Sequence, residues 1–156
     1  LKLCCFVFAK RRKMIFRHAG IVTKNINSLI DFYQNILGFK IEKDLIETGT
    51  FISSICGIPN TEVRTVKMSL NNVVALELLD FKDNNEDKLN NKHIMSNGYT
   101  HIALTVDNLD ELFVFMKNKK HIEFTTEPLI SPDGKAKVTF CRDPDGNLIE
   151  LVQELK

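Results

Sequence analysis

Apolar residues recur with a helical period in two parts of this chain. The first stripe consists of Leu29, Phe32, Tyr33, Ile36 and Leu37. Its members lie one, three or four residues apart along the chain. This spacing predicts an amphipathic helix, and Gly38 directly after it predicts the helix end. The second stripe consists of Leu109, Leu112, Phe113 and Met116. A start resembling a capping box, Asn108 with Glu111 three residues later, indicates where this second helix begins.

Elsewhere apolar and polar residues alternate, as expected of half-buried strands. The strands predicted in the first half of the chain are residues 16–23, 40–48, 63–70 and 73–79. Those predicted in the second half are residues 99–106, 122–125, 135–141 and 148–152. Turn-forming residues at 71–72 and 143–147 indicate that the last two strands of each half form a hairpin. Each half therefore has the order βαβββ.

A sequence repeat relates the two halves. A shift of 83 residues aligns Asn25 with Asn108, Leu29 with Leu112, Phe32 with Phe115 and Asn35 with Asn118. We therefore predict an α+β fold in which two tandem βαβββ modules, residues 16–80 and 98–154, form a curved mixed sheet around a shared site. The polar residues 81–97 between the modules are predicted to be a linker.

Length, composition and charge bound the class of protein. The 156 residues are 44% hydrophobic, enough for one core, and we assign a single domain to residues 14–156. Residues 1–13 carry five of the 21 basic residues and no acidic one; we expect an N-terminal extension that is disordered or not native, with Met14 as the true start. From Met14 onward twenty acidic residues outnumber sixteen basic ones, which argues against nucleic-acid and membrane partners.

The cysteines and the first residues bear on the compartment. The four cysteines show no CxxC spacing, which argues against a disulfide framework or a zinc knuckle. The apolar residues 3–9 precede the basic cluster, the opposite order to a signal peptide, and are too few to span a bilayer. We therefore expect a reducing, cytoplasmic location. Cys56 and Cys141 are expected to be buried apolar groups and not nucleophiles.

Two glutamates lie in strands that are otherwise apolar. Glu77 lies in segment 73–79 and Glu150 in segment 148–152, and the strand that opens the same module carries a histidine, His18 or His101. A buried carboxylate is costly unless a cation or hydrogen bonds compensate its charge. Any one of these residues alone is best explained by separate hydrogen bonds or by solvent exposure. Four of them at equivalent positions of a repeat favour one shared site.

This set of side chains predicts a metal centre and a type of chemistry. Two imidazoles and two carboxylates suit a six-coordinate divalent ion such as Ni, Co, Mn, Fe or Zn, and the absence of cysteine argues against structural zinc. An ion that binds two adjacent substrate oxygens polarises a carbonyl group and stabilises an enediolate. A carboxylate beside the ion can then move a proton between neighbouring carbons, and Glu77 and Glu150 are the expected catalytic bases. His93 and His121 are expected to lie outside this site.

These motifs resemble the vicinal oxygen chelate superfamily, which includes glyoxalase I, methylmalonyl-CoA epimerase, extradiol dioxygenases, and fosfomycin and bleomycin resistance proteins. The resemblance covers residues 16–154 and rests on segments 18–22, 31–39, 76–78, 98–106 and 143–151. It implies a glyoxalase-like fold around one divalent metal, a small-molecule substrate and a homodimer. It also implies the metal ligands His18, Glu77, His101 and Glu150. Their order is similar to that of glyoxalase I, a lyase acting on the hemithioacetal of methylglyoxal and glutathione.

Two departures from glyoxalase I bear on the substrate. Val22 and Phe81 stand where the resemblance leads us to expect an arginine and an asparagine that hold glutathione. A charged tripeptide would be poorly held without these polar groups, so the expected substrate is a thiol adduct or a thioester. The apolar insertion 51–60 is expected to pack over the pocket. The predicted pocket residues are Phe51, Ile52, Met68 and Phe140.

Three other functions stay open. An enzyme resembling methylmalonyl-CoA epimerase is favoured by segment 76–79 and by shared enolate chemistry, although Thr100 stands where a second histidine is common. An extradiol dioxygenase uses two histidines and one carboxylate around Fe(II), so the fourth ligand Glu77 counts against it. A resistance-type binding protein on the same scaffold would not require four costly polar side chains.

Overall fold

A computed structural model describes residues 15–84, 93–119 and 122–156. The first module contains β1 (Ala19–Val22), α1 (Ile26–Asp31), a π-helical segment (Phe32–Ile36), β2 (Lys40–Thr48), α2 (Thr50–Cys56), β3 (Glu62–Leu70) and β4 (Val73–Phe81). The second contains β5 (His101–Thr105), α3 (Leu109–Lys117), β6 (Leu129–Ile130), β7 (Ala136–Arg142) and β8 (Leu148–Glu154). The predicted N-terminal extension 1–13, residues 85–92 of the linker and His121 lie outside the described residues.

Each module forms its own four-stranded mixed sheet, with strand orders β1-β4-β3-β2 and β5-β8-β7-β6. In both sheets the first strand of the module is parallel to the last, and the other neighbouring pairs are antiparallel. The identical order confirms the α+β class and the βαβββ repeat. We predicted one curved mixed sheet, and its strands form two sheets, one in each module.

Local chain chemistry explains where the helices begin and end. Gly38 has φ 77°, the left-handed conformation expected at the end of the first helix. The side chain of Asn108 accepts a hydrogen bond from the backbone N–H of Glu111 at 3.2 Å, which confirms the predicted cap. Asn25, its repeat equivalent, makes no side-chain cap. The predicted strand 122–125 is reduced to one bridge between Phe124 and Cys141.

The helices and one face of each sheet share a single core. It contains residues of both modules, among them Leu29, Tyr33, Leu76, Leu78, Met116, Ile149 and Leu151. The buried hydroxyl of Tyr33 donates a hydrogen bond to Asp143 Oδ2 at 3.0 Å and so joins the first module to the turn before β8. No helix among the described residues is long and apolar enough to cross a membrane.

Candidate metal-binding pairs

The two glutamates point to the open face of their sheets. Leu76 and Leu78, the neighbours of Glu77 in β4, belong to the core, as do the neighbours of Glu150 in β8. Successive strand residues point to opposite faces, so both carboxylates point away from the helices. The expectation that these glutamates are buried needs correction, because their side chains are 16% and 26% exposed.

Strand pairing places each histidine beside its glutamate in the same way. Glu77 is opposite Gly20, and Glu150 is opposite Ala103. Gly20 and Ala103 each lie two residues after the histidine of their module, so His18, directly before β1, and His101, the first residue of β5, each point to the face of their glutamate. His18 Nε2 lies 3.1 Å from Glu77 Oε2, and His101 Nε2 lies 3.4 Å from Glu150 Oε2.

These separations suit two neighbouring ligands of one divalent ion. Ligand atoms about 2.1 Å from a first-row ion and at right angles to each other are about 3.0 Å apart. Each His–Glu pair therefore fits half of the predicted ligand set. Within the described residues, however, no group of three or more His, Cys, Asp or Glu side chains is arranged to hold a metal. The four predicted ligands form two pairs in the chain and not one cluster.

A third residue beside each pair differs between the modules. Lys67 in β3 is opposite Glu77, and its Nζ lies 3.2 Å from Glu77 Oε1. Phe140 in β7 is opposite Glu150, and its ring packs edge-on against the ring of His101 with centroids 5.4 Å apart. Sequence reasoning found Phe140 but missed Lys67. One pair therefore has an ammonium group beside it and the other an apolar wall.

The remaining predicted pocket residues differ in burial. Met68 is fully buried in the core, and we remove it from the pocket because its neighbour Lys67 occupies the Glu77 face. In the insertion, which forms α2, Ile52 is buried and Phe51 is 73% exposed. A cavity of about 530 Å³ is lined by other residues of this region, including Ser53 and Ser54.

A second cavity lies on the first module, near the ends of β1 and β4. Its volume is about 450 Å³, and Val22, Ile58 and Phe81 are among its lining residues. Val22 is opposite Leu79 in the β1–β4 ladder, so it shares the face of Gly20 and Glu77. The two positions that depart from the glutathione-binding pattern thus line one partly apolar cavity.

The described cysteines are not placed for catalysis. Cys141 is fully buried, and burial raises the pKa of its thiol to about 12. A thiol with so high a pKa is not ionised near neutral pH and is a poor nucleophile. Cys56 is free and half-buried. The prediction of burial is therefore confirmed for Cys141 and wrong for Cys56.

The sequence and the fold place the chain in a known class. The family model of the Glyoxalase/Bleomycin resistance protein/Dioxygenase superfamily matches residues 15–151, and the chain belongs to this superfamily. It is 29% identical over 140 residues to the lactoylglutathione lyase of Neisseria meningitidis serogroup A, covering 88% of each chain. It is 26% identical over 141 residues to the lactoylglutathione lyase of Escherichia coli O157:H7, covering 88% of this chain and 90% of that one.

Solved structures share the fold. A glyoxalase family protein from Bacillus cereus superposes with a TM-score of 0.85 at 21% identity, covering 95% of this chain and 99% of that chain. The trypanothione-dependent glyoxalase I of Leishmania major superposes with a TM-score of 0.62 at 24% identity, covering 91% and 88%. At these identities the likeness extends to the fold alone.

Proposed function

We propose that this protein is a divalent-metal-dependent enzyme of the glyoxalase I type, whose active sites form between two copies of the chain. The observation that carries this proposal is the pair of equivalent His–Glu half-sites, one on the open face of each sheet. Each half-site supplies two ligands where a substrate-binding ion of this kind needs more. A symmetric dimer that places the first module of one copy against the second module of the other completes two such sites.

The residues of the two pairs have distinct tasks in this proposal. His18 and His101 hold the ion, which when bound polarises a substrate carbonyl. Glu77 and Glu150 also bind it, and one of them accepts a proton from the substrate carbon and returns it to the neighbouring carbon. Phe140 keeps water away from the His101 pair. Lactoylglutathione lyases among the relatives support a lyase or isomerase with this proton transfer.

The cavity near the ends of β1 and β4 bears on the substrate. Apolar Val22, Ile58 and Phe81 and acidic Glu62 and Asp83 are among its lining residues, and none of the described lining residues is cationic, so the cavity favours an apolar substituent over the carboxylates of a charged tripeptide. We therefore propose a thioester or a thiol adduct smaller than glutathione. A cytoplasmic location stays a prediction from the sequence.

Metal content tests the ligand set. Protein purified without a chelating tag should contain about one equivalent of a divalent metal per chain, and His101→Ala and Glu150→Ala should lose most of it, because loss of a single ligand removes much of the binding energy. His93→Ala in the linker and Glu154→Ala at the exposed end of β8 are matched controls that should retain it. Equal, substoichiometric metal in all five proteins would contradict the proposal.

Mixed dimers test whether each site needs two chains. His18→Ala and His101→Ala should each be inactive, but a heterodimer of the two variants contains one site with both defects and one intact site. Such a heterodimer, isolated with two different tags, should regain about half of the metal and of the activity. If both sites lay within single chains, every site would carry one defect and nothing would be regained.

Proton exchange tests the chemistry. Metal-loaded protein in deuterium oxide should exchange a carbon-bound proton of a suitable 2-oxo thioester or hemithioacetal, and replacing the glutamate that acts as the base, by Glu77→Gln or Glu150→Gln, should abolish this exchange. Tight binding of these compounds without exchange into any of them would favour a sequestering protein over an enzyme.

A further inference from the structure

We propose that Lys67 is a specificity-determining residue, whose ammonium group binds a carboxylate carried by the metal-chelating substrate. This inference rests on the proposed metal site and names its substrate class: small oxygen chelates that have a carboxylate beside the reacting carbons.

The position of Lys67 puts its charge next to the ligands. Strand pairing aligns Gly20, Glu77, Lys67 and Lys43 in one row across the first sheet. Residues directly opposite each other share a face, so both lysines lie on the open face with Glu77. The side chain of Lys67 is 30% exposed, so its ammonium group is partly accessible to a ligand on that face.

The two oxygens of Glu77 are divided between two partners. Oε2 faces His18 Nε2 at 3.1 Å, and Oε1 faces Lys67 Nζ at 3.2 Å. The carboxylate charge of Glu77 compensates the ammonium charge of Lys67. An ion bound by His18 and Glu77 would be partly neutralised by the same carboxylate, which leaves less negative charge for Lys67. With the ion in place, a second carboxylate beside Lys67 therefore becomes favourable, and the ammonium group of Lys67 already pairs with a carboxylate oxygen of Glu77.

Neighbouring charges reinforce this requirement. Lys43 lies directly opposite Lys67, and like charges so placed are destabilising unless an anion lies near both. Two acidic side chains of β2 have hydroxyl partners: Glu47 accepts a hydrogen bond from Thr65 at 2.5 Å, and Glu42 accepts one from Ser69. Neither glutamate belongs to the row across the sheet, which itself holds two lysines and one glutamate.

The second module shows why Lys67 determines orientation. Phe140 occupies the equivalent position and packs on His101. A site built from one pair of each kind has an ammonium group at one end and an apolar ring at the other. An unsymmetrical substrate is then held with its carboxylate towards Lys67 and its apolar part towards Phe140.

A ligand comparison tests the inference by binding and not by turnover. Cobalt(II)-loaded protein is titrated calorimetrically with oxalate and with oxamate, which is oxalate with one carboxylate replaced by a carboxamide. The quantity compared is the ratio of the two dissociation constants. In Lys67→Met the preference for oxalate should fall about tenfold, the effect of one charge-assisted hydrogen bond. Lys67→Arg should keep most of it, and the matched control Lys117→Met, an exposed lysine paired with Glu127, should leave it unchanged.

The outcomes separate this inference from the function on which it rests. Full cobalt binding by wild type and Lys67→Met with an unchanged oxalate preference would overturn the role of Lys67 and leave the metal site intact. Tighter cobalt binding by Lys67→Met, again with an unchanged preference, would mean that the lysine only competes for Glu77, and would overturn the role equally. Failure of wild type to bind cobalt would refute the proposed function itself. A loss of preference in Lys67→Met that Lys67→Arg restores supports the inference.

Discussion

Replacing Tyr33 with phenylalanine removes one hydroxyl group from the place where the two modules meet. Tyr33 is fully buried, Asp143 is 3% exposed, and the hydroxyl lies 3.0 Å from Asp143 Oδ2. The ring itself packs edge-on against Phe32 and Phe39, with centroids 5.3 and 5.5 Å away, and the substitution keeps those contacts. The measured effect therefore belongs to the hydrogen bond.

The magnitude follows from the partners that Asp143 keeps. A hydrogen bond to a charged group contributes about 1.5–3 kcal/mol. Asp143 still accepts from the backbone N–H groups of Asp145 and Asn147 and from the side-chain amide of Asn147. We therefore expect the lower part of that range, a loss of about 2 kcal/mol in the free energy of unfolding. For a domain of this size such a loss lowers Tm by about 4–8 °C.

Urea unfolding followed by far-ultraviolet circular dichroism measures this loss, at one fixed protein concentration so that any dimerisation contributes equally. Tyr99→Phe is the matched control: it removes the same hydroxyl from the chain's other tyrosine, which is 97% exposed, and should change stability by less than about 0.5 kcal/mol. Equal effects of the two substitutions would refute the reasoning, since the Tyr33 hydroxyl would then not link the modules.

Three further predictions follow from local contacts. Asn108→Ala should lower the free energy of unfolding in urea by about 1 kcal/mol because it removes the side-chain cap of α3. Asn25→Ala should lower it less, because the Asn25 side chain makes no such hydrogen bond. Equal losses in the two variants would contradict this. Burial raises the pKa of Asp143, so the folded state holds the proton of this carboxyl group more tightly than the unfolded state does. The difference in unfolding free energy between wild type and Asp143→Asn should therefore shrink as pH rises from about 4 through the folded pKa. A difference that does not change with pH would disprove this. Iodoacetamide should label Cys56 and spare Cys141 in native protein, as read by peptide mass spectrometry, and rapid labelling of Cys141 would show that its site opens.

The placement of the His–Glu pairs could be predicted because it depends on two simple periods. Strand alternation assigns each side chain to a face, and the repeat of the βαβββ order places a histidine on the first strand and a glutamate on the last strand of each module. The structure shows the consequence in the ladders, where Gly20 faces Glu77 and Ala103 faces Glu150. The sequence did not show that the pairs stay apart in one chain, because module packing depends on the three-dimensional core.

The role of Lys67 could not be predicted because a bulge changes the register. The hairpin starts with Leu70 opposite Val73, and continued without interruption it would bring Val66 opposite Glu77 and Met68 onto the same face. An irregularity between Met68 and Ser69 shifts the pairing by one residue. It sends Met68 into the core and brings Lys67 opposite Glu77. Sequence periodicity contains no clear signal for such a shift.

The same shift distinguishes two modules that the repeat makes otherwise alike. The β7–β8 ladder runs without a shift from Ala136 opposite Glu154 to Arg142 opposite Leu148, which keeps Phe140 beside Glu150. Both modules thus contain one histidine and one glutamate at equivalent positions. The residue next to each glutamate differs, because it comes from the third strand of the module, β3 or β7. A site assembled from two identical halves would treat both ends of a chelated substrate alike. In the proposed enzyme, Lys67 on one half and Phe140 on the other remove that equivalence, and the proposed proton transfer between two particular carbons requires a substrate bound in one orientation.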